Sequence, residues 1–248
     1  MPELTIAVLD DYEAMSTAAA DLVAEIAAAN PTAAVVVPTG ETPQRMFREL
    51  VRHRHAGAFD ASGLRVHQLD EYLGIEPDDR RSFLGWMLRS FAEPLGIPLE
   101  HVVRLPSDGD VAAACAAYDQ EIEGAGGFAL AILGIGANGH LGFNEPPCDG
   151  SAPTREVALS EETLASNARY WGGREHVPRR AITIGMAPLL QARKIVLLAF
   201  GAHKRDIVRR ALEGPMTPDV PASYLRLARD VTVFLDREAA RGLEVGRA

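Results

Sequence analysis

Short apolar runs alternate with stretches of helical apolar spacing along most of this chain. The apolar runs predict β-strands at residues 4–9, 34–37, 64–69, 101–105, 128–133, 181–184, 194–200 and 231–235. The helical spacing predicts helices at residues 14–29, 43–52, 82–91, 111–122, 188–192 and 204–212. Because strands that are apolar throughout are covered on both faces, the pattern predicts an α/β fold, a mostly parallel Rossmann-like open sheet with helices on both faces.

Length and charge narrow the class of protein. The chain has 248 residues, 47% of them hydrophobic, and we expect residues 1–248 to form a single α/β domain. The net charge of −9, without a basic block, argues against nucleic acid or an anionic membrane as a partner. No apolar run approaches the ~20 residues of a membrane-spanning helix. Residues 1–4 lack the basic start of a signal peptide, so the sequence predicts a cytoplasmic protein.

Ligands of open α/β sheets bind beyond the carboxyl ends of the strands, and the first candidate segment follows the strand at 34–37. The sequence there contains Thr39, Gly40, Glu41 and Thr42, followed by a proline that suits the first turn of a helix. Backbone N–H groups at a helix start bind anions. We therefore predict a phosphate site, with the Glu41 side chain pointing away from it. An ordinary turn and helix cap would also explain the pattern.

The second candidate pair, Asp70 and Glu71, directly follows the strand at 64–69. A carboxylate at a strand end can act as a general base, and Asp70 is the candidate. The alternative is a capping aspartate followed by a first-turn glutamate of a helix.

The third candidate segment, 134–146, contains a G-x-G-x-x-G pattern that resembles a dinucleotide-binding fingerprint. A helix should begin at the third glycine of that fingerprint, and the glycine, asparagine and prolines at 142–147 disfavour a helix here. Gly136 and its neighbours are instead predicted to let the backbone approach a small ligand. His140 and Glu145 are predicted to pair, with the carboxylate orienting the imidazole and raising its pKa. A structural histidine is the alternative.

Two late basic residues, Arg169 and Lys204, could clamp a phosphate, although either alone could be a surface charge. His53 and His55 would point to different faces of a helix, so no metal site is predicted. Cys148 has no dedicated histidine partner nearby and is not favoured as a nucleophile. An anion site, a carboxylate base and a His–Glu pair in one cleft indicate proton-transfer chemistry on a phosphorylated metabolite.

These segments resemble the glucosamine-6-phosphate deaminase family over nearly the whole chain. Residues 38–43, 69–72 and 134–146 carry the resemblance, and the run Asn144-Glu145-Pro146 is its most specific part, since the related 6-phosphogluconolactonases continue differently after Gly-His. Further matching segments are residues 163–169, 181–185, 201–204 and 221–223.

The resemblance implies a role for each candidate residue. Asp70 would move a proton between C2 and C1 of the open-chain sugar, and His140 would open the sugar ring with help from Glu145 and Asn138. The phosphate would be held by the segment after the strand at 34–37 and by the two basic residues later in the chain. These residues are Thr39, Gly40, Thr42, Arg169 and Lys204.

The implied reaction converts glucosamine 6-phosphate and water to fructose 6-phosphate and ammonia, without a cofactor. Alternatives are a deaminase or isomerase of another 6-phosphosugar such as galactosamine 6-phosphate, a 6-phosphogluconolactonase-like hydrolase, and a sugar-phosphate sensor. The expected partner is a small sugar phosphate, and a homo-oligomer is possible.

Several positions depart from the family pattern and are expected to border the cleft. Asn138 stands where some relatives carry Asp, and Glu41 replaces the commoner Ser or Gly. Arg226 and Ala228 replace Gln and His, and two arginines at 80–81 replace a Tyr-containing stretch. These departures leave the exact sugar open.

Overall fold

The computed structural model describes residues 2–76 and 78–244 of the chain. It contains the strands β1 (Glu3–Leu9), β2 (Ala34–Val37), β3 (Arg65–Gln68), β4 (Asp70–Tyr72), β5 (Val102–Val103), β6 (Leu130–Gly134), β7 (Arg155–Ala158), β8 (Arg180–Thr183), β9 (Lys194–Ala199) and β10 (Asp230–Asp236). Seven of them form one sheet in the order β1-β10-β9-β6-β2-β3-β5, and all of its neighbouring strands run parallel. The predicted mostly parallel sheet is confirmed.

The helices are α1 (Tyr12–Ala29), α2 (Gln44–His55), α3 (Phe83–Met87), α4 (Val111–Gly124), α5 (Glu161–Trp171), α6 (Met186–Leu190), α7 (Arg205–Leu212) and α8 (Arg237–Ala240), and a π-helical turn, Leu88–Ala92, continues α3. None of the helices formed by residues 2–76 and 78–244 is long and apolar enough to cross a membrane.

Both faces of the large sheet are covered, as the apolar strands predict. Val35 and Val37 of β2 pack in one buried cluster with Phe47 of α2 and with residues of α1. Val36, which points the opposite way, packs in another cluster with residues of α4, α6, α7 and α8, including Tyr118 and Val208. Successive residues of a strand point to opposite faces, so one apolar strand serves two layers of helices.

A second sheet of three antiparallel strands, in the order β4-β8-β7, was not predicted. Residues 180–183 do form a strand, but they belong to this small sheet, where Thr183 lies opposite both Asp70 and Arg155. β4 and β7 have the sequences DEY and REVA, which show neither an apolar run nor a clear alternation. Their extended conformation depends on pairing with β8, so local sequence carries little sign of it.

Helix α5 was also not predicted, although its ends carry recognisable signals. The Ser160 side chain accepts a hydrogen bond from Thr163 N at the start of α5, and Gly172 ends the helix with a φ of 71°. Glu161 and Glu162 lie in the first turn, where acidic residues favour the positive end of the helix dipole. This helix supplies one wall of the candidate site.

Candidate active site

A cavity of about 570 Å³ lies where loops that follow the large sheet's parallel strands meet helix α5. Loops after β2, β3, β6 and β9 contribute to its lining, which is the convergence expected at the carboxyl ends of parallel strands. Of the candidate site residues from the sequence, those that line the cavity are Thr39, Gly40, Glu41, Thr42, Asp70, Gly136, His140, Arg169 and Lys204. Asn138 and Glu145 do not line it.

The candidate phosphate segment, residues 39–42, connects β2 to α2. Gly40 has a φ of 97°, a conformation that glycine adopts without strain, and this turns the chain toward the start of α2. The Tyr12 hydroxyl donates to the carbonyl oxygens of Glu41 and Thr42, at 3.1 and 3.0 Å, and so fixes the segment to α1. A glycine turn before a 12-residue helix is a suitable anion site.

The Glu41 carboxylate reaches across the rim of the cavity. Its Oε1 lies 3.1 Å from Nη2 of Arg169 and accepts a hydrogen bond of 3.2 Å from the Tyr170 hydroxyl. The Glu41 side chain, which was predicted to point away from the phosphate, thus contacts Arg169, a candidate phosphate ligand. The contact joins the β2–α2 loop to the last turn of α5.

Asp70 is the first residue of β4, and only Leu69 separates it from the end of β3. The side chain is buried, and its Oδ1 has no hydrogen-bond partner within the described part of the chain. Burial, together with the negative charge of Glu71, raises the pKa of Asp70 to about 8. A carboxyl group with a pKa near neutrality is suited to exchange a proton with a bound molecule.

Glu71 points elsewhere and is a structural group. Its carboxylate accepts hydrogen bonds from the backbone N–H groups of Tyr72, Phe83 and Leu84, at 2.9, 3.0 and 2.9 Å. It also accepts one of 2.8 Å from Gln68 Nε2. The alternative that these two carboxylates begin a helix is wrong, because the chain continues as β4 and α3 begins only at Phe83.

We expect the Glu71→Gln variant to lower the free energy of unfolding by about 2 kcal/mol. An amide nitrogen would replace one carboxylate oxygen and face backbone donors, which would lose their buried acceptor. Denaturant unfolding should show a lower midpoint, whereas Glu76→Gln, at an exposed position, should behave like the wild type. Equal midpoints for the two variants would contradict this role.

The loop after β6 positions His140. Residues 135–154, all of which the structure describes, contain no helix, in agreement with the prediction that this segment is not a dinucleotide-binding fingerprint. The imidazole lies against Gly136, where a Cβ would come within 2.2 Å of the ring atoms. Gly142 packs against Leu69, which brings the loop beside Asp70. Gly136 thus makes room for a side chain of the site.

The predicted pair between His140 and Glu145 is not formed. Glu145 instead accepts hydrogen bonds from Ser160 N, at 2.7 Å, and from the hydroxyls of Ser160 and Thr163, each at 2.5 Å, at the start of α5. Asn138 accepts from the backbone N–H of His140 at 3.3 Å, so it shapes the loop rather than orienting the ring.

The predicted rise in the pKa of His140 is also wrong. Burial lowers this pKa to about 4; the Glu145 carboxylate opposes the shift, and the Lys204 ammonium adds to it. The imidazole is therefore neutral at pH 7, and its Nδ1 is buried without a hydrogen-bond partner in residues 2–76 and 78–244. A neutral imidazole can accept one proton and donate another.

Lys204 follows β9 in a short 3-10 turn, Ala202–Lys204. Its ammonium donates to the carbonyl oxygen of Ile135 at 2.6 Å, which ties it to the β6 loop. Burial lowers the pKa of Lys204, which lines the cavity. A cation held between two strand ends is well placed for an anionic ligand.

The remaining departures from the family pattern are divided by the fold. Arg226 donates to the carbonyl oxygens of Ser223 and Gly214, at 3.2 and 2.7 Å. Neither Arg226 nor Ala228 lines the cavity, so the expectation that these two residues border the cleft is wrong. Arg80 and Arg81 do line it. Cys148 is buried and does not line it, and burial raises the pKa of its thiol.

One wall of the cavity is aromatic and was not predicted from the sequence. The Tyr72 hydroxyl accepts a hydrogen bond of 2.9 Å from Asn167 of α5, and the Arg81 guanidinium lies 4.2 Å from the ring centre of Trp171. Phe83 and Trp86 complete the wall. The aromatic residues come from β4, α3 and α5, and no sequence spacing links them. Only Tyr72, two residues after Asp70, could have indicated an aromatic side chain near the site.

The chain is similar to known proteins over nearly its whole length. Residues 10–234 match the family model described as glucosamine-6-phosphate isomerases/6-phosphogluconolactonase. A glucosamine-6-phosphate deaminase of Thermoanaerobacter sp. (strain X514) is 40% identical over 232 residues, 93% of this chain and 91% of the relative. A glucosamine-6-phosphate deaminase of Clostridium botulinum (strain Loch Maree / Type A3) is 37% identical over 244 residues, 98% of this chain and 100% of the relative.

Solved structures show the same similarity. A monomeric glucosamine-6-phosphate deaminase superposes with a TM-score of 0.93 at 34% identity, covering 96% of this chain and 100% of its own. The 6-phosphogluconolactonase of Trypanosoma brucei superposes with a TM-score of 0.77 at 20% identity, covering 98% of this chain and 100% of its own. The second likeness shows a shared fold.

Proposed function

Because the chain belongs to the glucosamine-6-phosphate isomerase/6-phosphogluconolactonase family, we propose that it converts glucosamine 6-phosphate and water to fructose 6-phosphate and ammonia. The observation that carries this proposal is one cavity that combines a buried Asp70 carboxyl, a neutral His140 and a helix-start anion site. Relatives that share 37–40% identity with nearly the whole chain are glucosamine-6-phosphate deaminases.

Phosphate binding positions the sugar. The backbone of residues 39–42 at the start of α2 supplies N–H donors, and Arg169 and Lys204 supply positive charge from α5 and from the end of β9. The protein as a whole carries a charge of −9, so these local groups must attract the phosphate against the overall field.

Ring opening falls to His140. A neutral imidazole accepts the proton of the anomeric hydroxyl and returns a proton to the ring oxygen, which leaves the open-chain aldehyde. The pKa of about 4 keeps His140 neutral across the physiological range. Glu145 and Asn138 act as positioning residues, the first through α5 and the second through the backbone of the β6 loop.

Asp70 carries the isomerisation. Its carboxylate removes the proton from C2 while O1 gains the proton that the substrate ammonium gives up, which leaves an enolamine. The Asp70 acid then delivers its proton to C1, and the C2–N bond becomes a protonated imine. Water adds to this imine, ammonia leaves, and the ketone of fructose 6-phosphate remains. The buried position of Asp70 keeps the transferred proton away from solvent.

The direct test measures ammonia release and fructose 6-phosphate formation from glucosamine 6-phosphate. Galactosamine 6-phosphate and 6-phosphogluconolactone serve as competing substrates in parallel assays. Turnover of glucosamine 6-phosphate with the highest kcat/KM supports the proposal. A folded protein that releases no ammonia from it, or that hydrolyses the lactone with a higher kcat/KM, refutes the proposal.

The pH dependence should identify Asp70 rather than His140 as the titrating group. We expect kcat/KM to fall below about pH 8, because protonation of Asp70 removes the base of the free enzyme. In the enzyme–substrate complex, the positive charge of the substrate ammonium should favour the ionised form of Asp70 and lower its pKa. The acid limb of kcat should therefore lie at lower pH than the acid limb of kcat/KM. The pKa values of the substrate are measured separately and their contribution is removed. An acid limb of kcat/KM near pH 6.5 would contradict this assignment.

A further inference from the structure

Three side chains form a cluster on the rim of the cavity, which we call the rim cluster: Glu41, Arg169 and Tyr170. Glu41 Oε1 lies 3.1 Å from Arg169 Nη2, and the Tyr170 hydroxyl donates to the same carboxylate oxygen at 3.2 Å. The same guanidinium nitrogen donates to the Tyr170 hydroxyl at 2.6 Å, and the guanidinium carbon lies 4.6 Å from the centre of the Tyr170 ring. The cluster joins the β2–α2 loop to α5.

The position of the cluster matters because both charged members belong to the proposed phosphate site. Glu41 lies between Gly40 and Thr42 of the segment that offers backbone donors, and Arg169 is one of the two cations that line the cavity beside it. The two N–H groups of Arg169 Nη2 already face the Glu41 carboxylate and the Tyr170 hydroxyl. A phosphate that binds this nitrogen must therefore displace one of them.

The pair is exchangeable. The Glu41 and Arg169 side chains are 59% and 62% exposed, and ion pairs this open to solvent are weak. A phosphate dianion carries more charge than a carboxylate and can displace it from Arg169, but the displaced carboxylate remains beside the dianion. The lost ion pair and the repulsion between the two anions each lower the affinity of the site for phosphate.

We propose that Glu41 weakens the phosphate site, because it occupies Arg169 in the empty site and competes there with the phosphate group of the substrate. This inference rests on the proposed function only in taking Arg169 as a phosphate ligand. Glu41 sets the affinity for the 6-phosphate below the level that Arg169 and Lys204 would provide without it. It acts on binding and not on the proton transfers, because the hydrogen bonds and ion pair described for Glu41 and Arg169 involve neither Asp70 nor His140.

The test compares phosphate binding by the wild type and the Glu41→Gln variant. Isothermal titration calorimetry with inorganic phosphate and with fructose 6-phosphate should give dissociation constants about two- to fivefold lower for Glu41→Gln. The KM for glucosamine 6-phosphate should fall by a similar factor, with kcat unchanged. Unchanged or weaker phosphate binding would overturn the proposal, and weaker binding would mean that Glu41 holds Arg169 in place for the ligand.

A matched control exists on the same helix. Glu161 forms an exposed ion pair with Arg174 at the start of α5, and neither residue lines the cavity. Glu161→Gln removes the same charge from an exposed pair of α5 and should leave phosphate binding unchanged. An equal gain in both variants would attribute the effect to net charge and would overturn the proposal.

A double-mutant cycle shows whether Glu41 acts through Arg169. In an Arg169→Gln background, the gain from Glu41→Gln should disappear, because the contested cation is absent. A gain of the same size in that background would refute competition for Arg169. If the wild type binds phosphate but does not release ammonia from glucosamine 6-phosphate, the proposed function fails while the binding comparison still decides the role of Glu41.

Discussion

Replacing Asp70 with asparagine is expected to abolish turnover of glucosamine 6-phosphate and at the same time to make the folded protein more stable at alkaline pH. An amide cannot accept the C2 proton, and loss of a positioned general base costs about 10²–10⁴-fold in rate. The stability effect follows from burial. The pKa of Asp70 is about 8 in the folded protein against an ordinary value of 3.8, so ionisation opposes folding.

The stability difference between Asp70→Asn and the wild type should depend on pH. The stability linked to the protonated Asp70 is fully present below pH 3.8 and is lost as the pH rises through about 8. Asparagine remains neutral, so the gain in Tm of Asp70→Asn should be near zero at pH 4, grow up to pH 8 and then level off. At pH 9 we expect a gain on the order of 5 °C or more.

Thermal unfolding of both proteins between pH 4 and 9, beside steady-state kinetics, measures the two effects together. Asp108→Asn, at an exposed position, is the control and should change neither activity nor the pH course of Tm. A structural aspartate would lose stability on replacement. An Asp70→Asn protein that is inactive and also less stable than the wild type at pH 9 would therefore contradict the raised pKa of a buried Asp70.

Replacing Gly136 with alanine is expected to lower kcat/KM by about 10²-fold or more with little loss of stability. The new Cβ would lie 2.2 Å from the His140 ring, so the imidazole must move. The φ of Gly136 is not in the left-handed region, so the backbone itself accepts alanine without strain. A displacement of about 1 Å in a reacting group can cost 10²-fold in rate.

Gly134→Ala is the matched control, because a Cβ at that glycine of the same segment meets nothing within 4 Å. It should lose far less activity than Gly136→Ala. The binding of inorganic phosphate and the Tm of Gly136→Ala report whether the site is otherwise intact, and both should stay close to the wild type. Equal activity of the two variants would show that the position of His140 does not limit the reaction.

Much of the candidate site was open to prediction because parallel strands end at one edge of a sheet. Apolar runs located β2, β3, β6 and β9, and the polar residues that follow them reach one cavity. This inference needs only the order of elements and the direction of strands. It placed Asp70, His140 and Lys204 together although 134 residues separate the first from the last.

The side-chain partners of the site were not open to prediction in the same way. Glu145 is five residues from His140 in sequence, yet its carboxylate binds the start of α5. Glu41 was expected to turn away and instead contacts Arg169, which lies 128 residues further along the chain. Side chains contact the groups that lie nearest in space, whatever their separation in sequence. Both partners here belong to the region of α5, and α5 was absent from the predicted elements.

The apolar pattern and the residues at the strand ends were therefore enough to predict the parallel α/β sheet, the strand ends that carry the candidate site and the family resemblance. Periodic apolar patterns and turn residues are local properties, and they are sufficient for these conclusions. Only the folded arrangement shows the β4-β8-β7 sheet, the wall formed by α5 and the shifts that raise the pKa of Asp70 to about 8 and lower that of His140 to about 4. The physical reason is that strand pairing, desolvation and charge interactions sum over neighbours from distant parts of the chain, which a local pattern does not contain.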